Sequence, residues 1–320
     1  MDHFVRSIEE FRTFQRLGKF LGVEMPSLPD LTSDIHSFLS SKISKIFLGD
    51  VSLVRIYRDQ LDINEARFWY KIFTDHWKNH YSTPSARAKF VLLLREVIPL
   101  LVDEITPFLL TEIIDSSKSL PYSFTSGEIS TVFEKLPLAR KKGYPILAAL
   151  FKRSDAWIAT DIFMTWPTMP SDDAIPFITP IVMDVRASSE GQLEQLLEKH
   201  PAYWSSISSI FSQSDVEVRG KMARNLLHNY TGEYLLALTS HILNDPACIV
   251  RNAVQRLKFN VNFQQMVEKL DPNLKETLLQ HLEGIHKNPY NEFDKKPTFA
   301  ESFPKENQEL KQRFPLPAGF

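Results

Sequence analysis

Apolar residues return every three or four positions along most of this sequence, and this period restricts the fold more than any other feature. Val5, Ile8 and Phe11 begin one such stripe, which Phe14 and Leu17 continue. That spacing places apolar side chains on one face of an amphipathic α-helix, whereas the two-residue alternation of a half-buried strand is rare here. The sequence therefore predicts an all-α protein.

Prolines and short polar segments divide these stripes into separate helices. The chain has 20 prolines but only 10 glycines, so we expect helices ended by proline more often than tight glycine turns. The predicted helices cover residues 33–48, 51–60, 64–81, 85–98, 100–116, 126–136, 142–153, 174–186, 189–199, 201–212, 215–229, 231–243, 246–258, 261–270 and 272–287. From residue 174 to 287, links of no more than about eight residues should make consecutive helices antiparallel neighbours.

Two segments in the last third of the chain are similar to each other. Residues 214–227 are SDVEVRGKMARNLL, and residues 244–257 are NDPACIVRNAVQRL. Each segment has an acid, then a Val-Arg pair ending at Arg219 or Arg251, and then an alanine predicted to face the core. About 30 residues separate the two pairs, which is near the repeat length of helical solenoids.

This pattern resembles HEAT repeats. In that family the acid and the arginine begin the second helix of a repeat and bridge neighbouring repeats, while the alanine lets helices approach closely. The resemblance implies a HEAT/ARM-like α-solenoid of antiparallel helix pairs. We expect about seven or eight pairs in one helical-repeat domain that covers residues 1–287.

The composition changes after residue 287. Residues 288–320 carry prolines, charges and scattered phenylalanines without a helical period. A terminal segment of this kind is ordered only where it is tied down. We therefore expect a C-terminal tail that is partly disordered or packs back along the last helices, or that serves as a peptide for a partner.

Composition excludes several classes of protein. Lysine and arginine number 37 against 39 acids, so the formal net charge of −2 gives no global basic field of the kind that marks many nucleic-acid-binding proteins. The single cysteine, Cys248, excludes an internal disulfide and favours a reducing compartment. No apolar run approaches about 20 residues, and acids interrupt the N-terminal stretch. We expect an intracellular protein with neither a membrane span nor a secretion signal.

The sequence carries no motif for catalysis or for a cofactor. Its glycines are almost all single, and no phosphate-binding loop or nucleotide fingerprint is present. His76 and His80 have the four-residue spacing of a helical metal pair, but the glutamate and the third ligand of a metalloprotease are missing. Cys248 is expected to be a buried, inert thiol. We therefore predict no enzyme activity, no cofactor and no metal.

Three tryptophans allow two interpretations. Trp157, Trp166 and Trp204 would suit a pocket for a flipped base only if a basic concave face accompanied them. The charge balance does not favour such a face. Packing in the core is the simpler expectation for all three.

Residues 68–115 resemble the shared domain of the ribosomal RNA processing protein 1 family. In that family a Phe-Trp pair and a second Trp precede a Lys-Phe-x-x-Leu-x-Arg-x-Val stretch. The matching residues here are Phe68, Trp69, Trp77, Lys89, Phe90, Leu93, Arg95 and Val97. The family consists of nucleolar helical-repeat proteins that act in maturation of the large ribosomal subunit. The resemblance implies pre-ribosomal protein partners and a location in the nucleus or nucleolus, whereas the cytoplasm is expected otherwise.

Stacked helix pairs expose a long concave face, which suits an extended partner. We expect a non-enzymatic scaffold or adaptor that binds a protein partner through this groove, in large ribosomal subunit biogenesis if the family resemblance holds. The alternative is a nucleic-acid-binding helical-repeat protein, whose affinity would fall steeply with salt. The residues predicted to line the partner-binding groove are Arg140, Lys141, Arg219, Lys221, Arg224, Arg251 and Arg256.

Overall fold

The structure is a computed structural model, and it covers the chain in several stretches. It describes residues 84–115, 124–188, 191–287 and 297–320, together with Ile63, Ala66, Arg67, Tyr70 and Thr74. Every regular element in these stretches is helical, and they contain no strand. The prediction of an all-α protein is confirmed at this level. The predicted helices over 33–48 and 51–60, and the residues Phe68, Trp69, His76, Trp77 and His80, lie outside the described residues.

The helices are numbered here in chain order. They are α1 (Pro84–Phe108), α2 (Ser126–Phe133), α3 (Tyr144–Leu150), α4 (Trp157–Met164), α5 (Ser171–Met183), α6 (Gln192–Lys199), α7 (Tyr203–Gln213), α8 (Val216–Asn229), α9 (Leu235–Leu243), α10 (Cys248–Arg251), α11 (Val261–Glu268), α12 (Pro272–Lys287), α13 (Phe299–Ser302) and α14 (Pro304–Arg313). A π-helical turn, Leu109–Ile114, continues α1, and 3₁₀ segments cover Leu136–Gly143, Val185–Ala187 and Asn252–Phe259. Most predicted helices have counterparts with ends shifted by a few residues, but α4, α13 and α14 are not among the predicted ones.

Packing divides the chain into two compact units, residues 1–149 and 150–320. The predicted division at residue 287 followed composition, whereas this one follows contacts between elements. Residues 297–320 belong to the second unit by that criterion. Each unit is described by itself below.

Helix α1 turns sharply near its middle. Leu101 leaves the helical conformation, with φ −124° and ψ 27°, and the rings of Phe90 and Phe108 lie 5.9 Å apart, edge to face. In a straight helix those two residues would be roughly 27 Å apart, given the rise per residue. The two halves of α1 therefore pack against each other, and the predicted break between helices 85–98 and 100–116 is confirmed.

Ion pairs in the first unit join α1 to the segment that follows α2. In each pair the two residues are 39 positions apart in the sequence. The pairs are Arg95 with Glu134, Lys135 with Glu96, and Lys142 with Asp103. Because both members advance together along the chain, the two segments run in the same direction.

Alternate helices of the second unit also run in the same direction. Gln192, at the start of α6, donates to the carbonyl of Trp157 at the start of α4, at 3.4 Å. Lys199, at the end of α6, donates to the carbonyl of Met164 at the end of α4, at 2.6 Å. Both pairs are 35 residues apart in the sequence. Helices α4 and α6 are therefore parallel neighbours.

Helices α7 and α9, further along the second unit, are also parallel neighbours. The Trp204 ring lies 5.8 Å from Tyr234, and the Phe211 ring lies 5.4 Å from His241. The first pair lies at the beginning of the two helices and the second pair toward their ends. Contacts that advance equally on both helices require the helices to be parallel.

The predicted core positions of the tryptophans are only partly correct. Trp166 and Trp204 are buried, which confirms the expectation for both. Trp157 is 39% exposed, so the expectation is wrong there. It is the first residue of α4, and a side chain at a helix start has fewer neighbouring turns to cover it.

Candidate partner-binding site

Arg219 lies in α8 and forms an ion pair with Asp245, in the link that leads into α10. Its guanidinium donates to both carboxylate oxygens, at 3.1 and 3.3 Å, and to the Ser214 carbonyl at 3.0 Å. The Asp245 side chain is only 7% exposed. Arg219 therefore joins two helical segments, and its charge is directed inward.

Arg251 converges on the same link. It is 4% exposed, and its Nη1 donates to the backbone carbonyls of Asp245 at 2.6 Å and Pro246 at 2.9 Å. The Asp245 carboxylate also accepts the backbone N–H of Ala247 at 2.8 Å. Two of the residues predicted to line a groove, Arg219 and Arg251, thus meet at one buried aspartate.

The other predicted residues of the second unit lie on its surface. Lys221 forms an ion pair with Glu217, which lies one helical turn earlier in α8, at a distance of 3.7 Å. Arg224 donates through Nε to the Gly220 carbonyl of its own helix at 3.2 Å. Arg256 is exposed on the 3₁₀ segment that follows α10. These three residues keep the outward position that the prediction requires.

Arg140 and Lys141 belong to the first unit, on the 3₁₀ segment Leu136–Gly143. Both are exposed, and Lys142 beside them pairs with Asp103 at 2.5 Å. Arg140 has a φ of 51°, and no other non-glycine residue in the described stretches has a positive φ. The seven predicted residues are therefore divided between the two units, and five lie in the second.

An aromatic cluster lies between α7 and α9. The Trp204 ring is 5.4 Å from Tyr230 and 5.8 Å from Tyr234, and both partners stand nearly perpendicular to it. Farther along, Phe211 meets His241 in a T-shaped contact. Such contacts direct the positive edge of one ring at the negative face of another. These five residues are called the aromatic cluster below.

Phe320 occupies the middle of the aromatic cluster. Its ring lies 5.9 Å from Trp204 and 5.1 Å from His241, perpendicular to the second ring and nearly so to the first. Its backbone N–H donates to the Pro317 carbonyl at 3.1 Å, which closes a turn. A residue from the C-terminal segment thus completes the row of rings that α7 and α9 begin.

The turn before Phe320 lies close to the start of α7. Gly319 has a φ of 91°, a conformation that favours glycine because it has no Cβ. A Cβ at this position would also lie 3.4 Å from Ser205 Cβ and 3.6 Å from the Ser205 nitrogen. Ser205 is held in place by a 2.7 Å hydrogen bond between its hydroxyl and that of Ser171.

Burial keeps the aromatic cluster uncharged near neutral pH. It lowers the pKa of His241, while the Asp245 carboxylate raises that pKa and Lys311 lowers it. Burial also raises the pKa of the Tyr230 phenol. A neutral imidazole beside neutral rings provides a surface that is suited to an aromatic or aliphatic side chain.

Asn244 fastens the helices of the C-terminal segment to the end of α9. Its side-chain oxygen accepts the backbone N–H of Ala300 at 2.8 Å, and its side-chain nitrogen donates to the Asn307 side chain at 2.7 Å. Phe299 and Leu310 are fully buried. One asparagine therefore anchors both α13 and α14, while two apolar side chains bury their inner faces.

The described stretches offer little for other chemistry. No cluster of three or more histidine, cysteine or acidic side chains within them is arranged to hold a metal ion. None of their helices is long and apolar enough to cross a membrane. Cys248 is half-buried, so its predicted full burial is wrong, and the reason is its place at the first position of the short helix α10.

Comparison with known proteins gives no relative for this chain. No protein-family model, no curated protein and no solved structure matches it. Its function is therefore inferred from its own residues.

Proposed function

We propose that this chain is a HEAT-like helical-repeat scaffold that binds a protein partner. The observation that carries the proposal is the bidentate Arg219–Asp245 pair. It joins α8 to the link before α10, 26 residues further along the chain. An arginine and an acid that bridge successive units are what the HEAT resemblance implies.

Parallel alternate helices support the same arrangement. Helices α4 and α6 run parallel, and so do α7 and α9, at sequence offsets near the length of one helix pair. Repeated antiparallel pairs stacked side by side produce this relation, because each helix then lies beside its counterpart in the next pair. Such a stack exposes a continuous face to an extended partner.

The charges favour a protein over a nucleic acid as the partner. Arg219 and Arg251 are directed at Asp245, and Lys221 is paired with Glu217. Phosphate binding would need such side chains free to displace counterions from a backbone. Fewer of the predicted basic side chains are therefore available to contact a nucleic acid.

Exposed apolar side chains support the same preference. Phe259 is 77% exposed and Val261 is 62% exposed, on the two sides of Asn260. Apolar side chains presented together at a helix start suit a protein contact more than a phosphate contact.

A pull-down with two matched variants tests the proposal. The tagged chain would be purified from its own cells, with and without nuclease, at about 50 and 200 mM salt. We expect nuclease-resistant protein partners whose recovery falls when Phe259 and Val261 are both changed to serine. Changing Lys221, Arg224 and Arg256 to glutamine should leave recovery unchanged. The reverse pattern, with loss on nuclease treatment, would establish the nucleic-acid alternative instead.

The resemblance to the ribosomal RNA processing protein 1 family makes pre-ribosomal proteins the first partners to examine. Large-subunit precursor factors among the nuclease-resistant partners, and the tagged chain in the nucleolus, would support a role in ribosome biogenesis. A reproducible set of unrelated proteins, with the chain in the cytoplasm, would reject that role while keeping the scaffold.

A further inference from the structure

The last seven residues of the chain, FPLPAGF, lie on the second unit in the manner of a bound peptide. Only Pro317 is buried, while Phe314, Leu316 and Phe320 are half-buried. The preceding helices are held differently, by the fully buried Phe299 and Leu310 and by the Asn244 hydrogen bonds. The C-terminal segment is therefore anchored upstream, independently of the contacts that residues 314–320 make.

Three features match residues 314–320 to the surface on which they lie. Trp204 and His241 receive the Phe320 ring edge to face. The turn holds Gly319 at a φ of 91°, which favours glycine over residues with a side chain. Pro317 is buried on this surface. Its fixed φ reduces the conformational entropy that a peptide loses when it is ordered on binding. Together these features match a Pro-x-Gly-Phe segment, and such matching is a property of a recognition surface.

We propose that the aromatic cluster is a binding site for a partner segment of the type Pro-x-Gly-Phe, and that Phe320 occupies it in cis until that segment displaces it. The proposal deepens the proposed function, on which it rests only in taking the partner to be a protein. Phe320 suits such a role because it is half-buried and makes ring contacts that are individually weak.

A tethered occupant lowers the apparent affinity of a free peptide. A short tether gives an effective concentration on the order of millimolar, so the competent state of the site is only fractionally populated. Weakening the cis contact should therefore strengthen binding in trans. Weakening the contacts of an ordinary core residue would not strengthen binding of a free peptide. Stronger binding therefore identifies Phe320 as a displaceable occupant.

The test uses the purified full-length chain and a fluorescent, C-terminally amidated peptide FPLPAGF, with anisotropy as the readout. We expect Phe320→Ala to bind the peptide at least about tenfold more tightly than the unchanged chain does. The peptide FPLPAGA should not bind. The control variant Pro315→Ala, at an exposed position of the same segment, should behave like the unchanged chain.

A second variant keeps the test decisive if Phe320→Ala fails to fold. Gly319→Ala retains the Phe320 ring but strains the turn, because a φ of 91° disfavours a residue with a Cβ, so it should also strengthen binding in trans. Equal binding to all chains, or binding that ignores the last phenylalanine of the peptide, would overturn the proposal. Because no cellular partner enters this assay, its failure is separate from failure of the pull-down.

Discussion

Arg140 holds a backbone conformation that favours glycine. Its φ of 51° and ψ of −138° lie outside the regions open to residues with a Cβ, and such positions are strained by about 1–3 kcal/mol. The strain falls at an exposed position of the 3₁₀ segment, beside Lys141 and Lys142. A glycine would relieve it, although its greater freedom in the unfolded chain would offset part of the gain.

Arg140→Gly should therefore raise the free energy of unfolding by about 1 kcal/mol. Arg140→Ala is the matched control, because it removes the guanidinium but keeps the Cβ. Urea denaturation of the three proteins measures the difference. If alanine stabilised the chain as much as glycine, the charge rather than the backbone would be the cause.

The Arg219–Asp245 pair makes a second prediction at this scale. Changing Arg219 to Met would leave a nearly buried carboxylate with a single described donor, the Ala247 N–H. The expected loss is about 2–4 kcal/mol of unfolding free energy, because an uncompensated buried charge is destabilising.

The exposed pair of Lys221 with Glu217 is the comparison for that loss. Both side chains are largely in water, so Lys221→Met should change stability by less than about 0.5 kcal/mol. Urea denaturation of both variants measures the contrast. Similar losses for both substitutions would mean that Asp245 finds water or another donor once Arg219 is gone.

Among the elements, the link between α8 and α9 depends on a glycine. A Cβ at Gly232 would lie 2.6 Å from the Tyr230 hydroxyl and 2.9 Å from Glu194 Oε1. The Tyr230 ring is buried against Trp204 and cannot move aside freely. Gly232→Ala should lower stability by about 1–3 kcal/mol through overpacking.

Gly284, inside α12, provides the opposite case. A Cβ there would meet nothing within 4 Å, and alanine is the better helix former. Gly284→Ala should raise stability by about 0.5–1 kcal/mol. Thermal unfolding of both variants tests the contrast, and stabilisation by both would show that Tyr230 yields to the new methyl group.

Helical period predicted the elements well where a helix is long and one-sided. Helices α5, α7, α8 and α12 have apolar stripes of that kind. Helix α4, WIATDIFM, has only eight residues and is apolar on almost every side, so no period is visible. Helix α14, PKENQELKQR, buries only Asn307 and Leu310, and its composition is that of a solvated tail.

The candidate site was less predictable, because it depends on contacts between distant residues. Helical spacing identifies Arg219 as a special position but does not reveal which carboxylate it meets. Burial of Trp204 follows from its sequence context, whereas its contact with Phe320 depends on the path of the intervening chain. The frequent phenylalanines of the tail were the only signal, and they left packing and partner binding equally open.

At the scale of the whole molecule, two histidines make the stability of the second unit depend on pH. Burial lowers the pKa of His200, which Met164 raises by accepting a hydrogen bond and Lys199 lowers by its charge. Burial lowers the pKa of His241 as well. In both cases the folded state favours the neutral ring, so the unfolded chain takes up more protons as the pH falls through the ordinary histidine pKa of 6.5.

The shifted pKa values of carboxylates affect stability in a lower range of pH. Hydrogen bonds from Arg186 lower the pKa of Asp184, and the Thr298 backbone N–H does the same for Glu301. Their contribution is present above the ordinary values of 3.8 and 4.5 and is lost only below them. Among the described side chains with a shifted pKa, only the two histidines therefore affect stability between about pH 5 and 6.5.

Stability should accordingly be full above pH 6.5 and decline as the pH falls toward about 5, with His241 responsible for part of the slope. His241→Gln should flatten the decline, since glutamine does not titrate beside Asp245 and Lys311. His228→Gln, at an exposed position of α8, is the matched control for replacing a histidine by glutamine in the same unit. Melting temperatures measured across this range decide the matter. Equal slopes in all three proteins would show that protonated His241 is tolerated, because the Asp245 carboxylate would then compensate for its burial against Phe320.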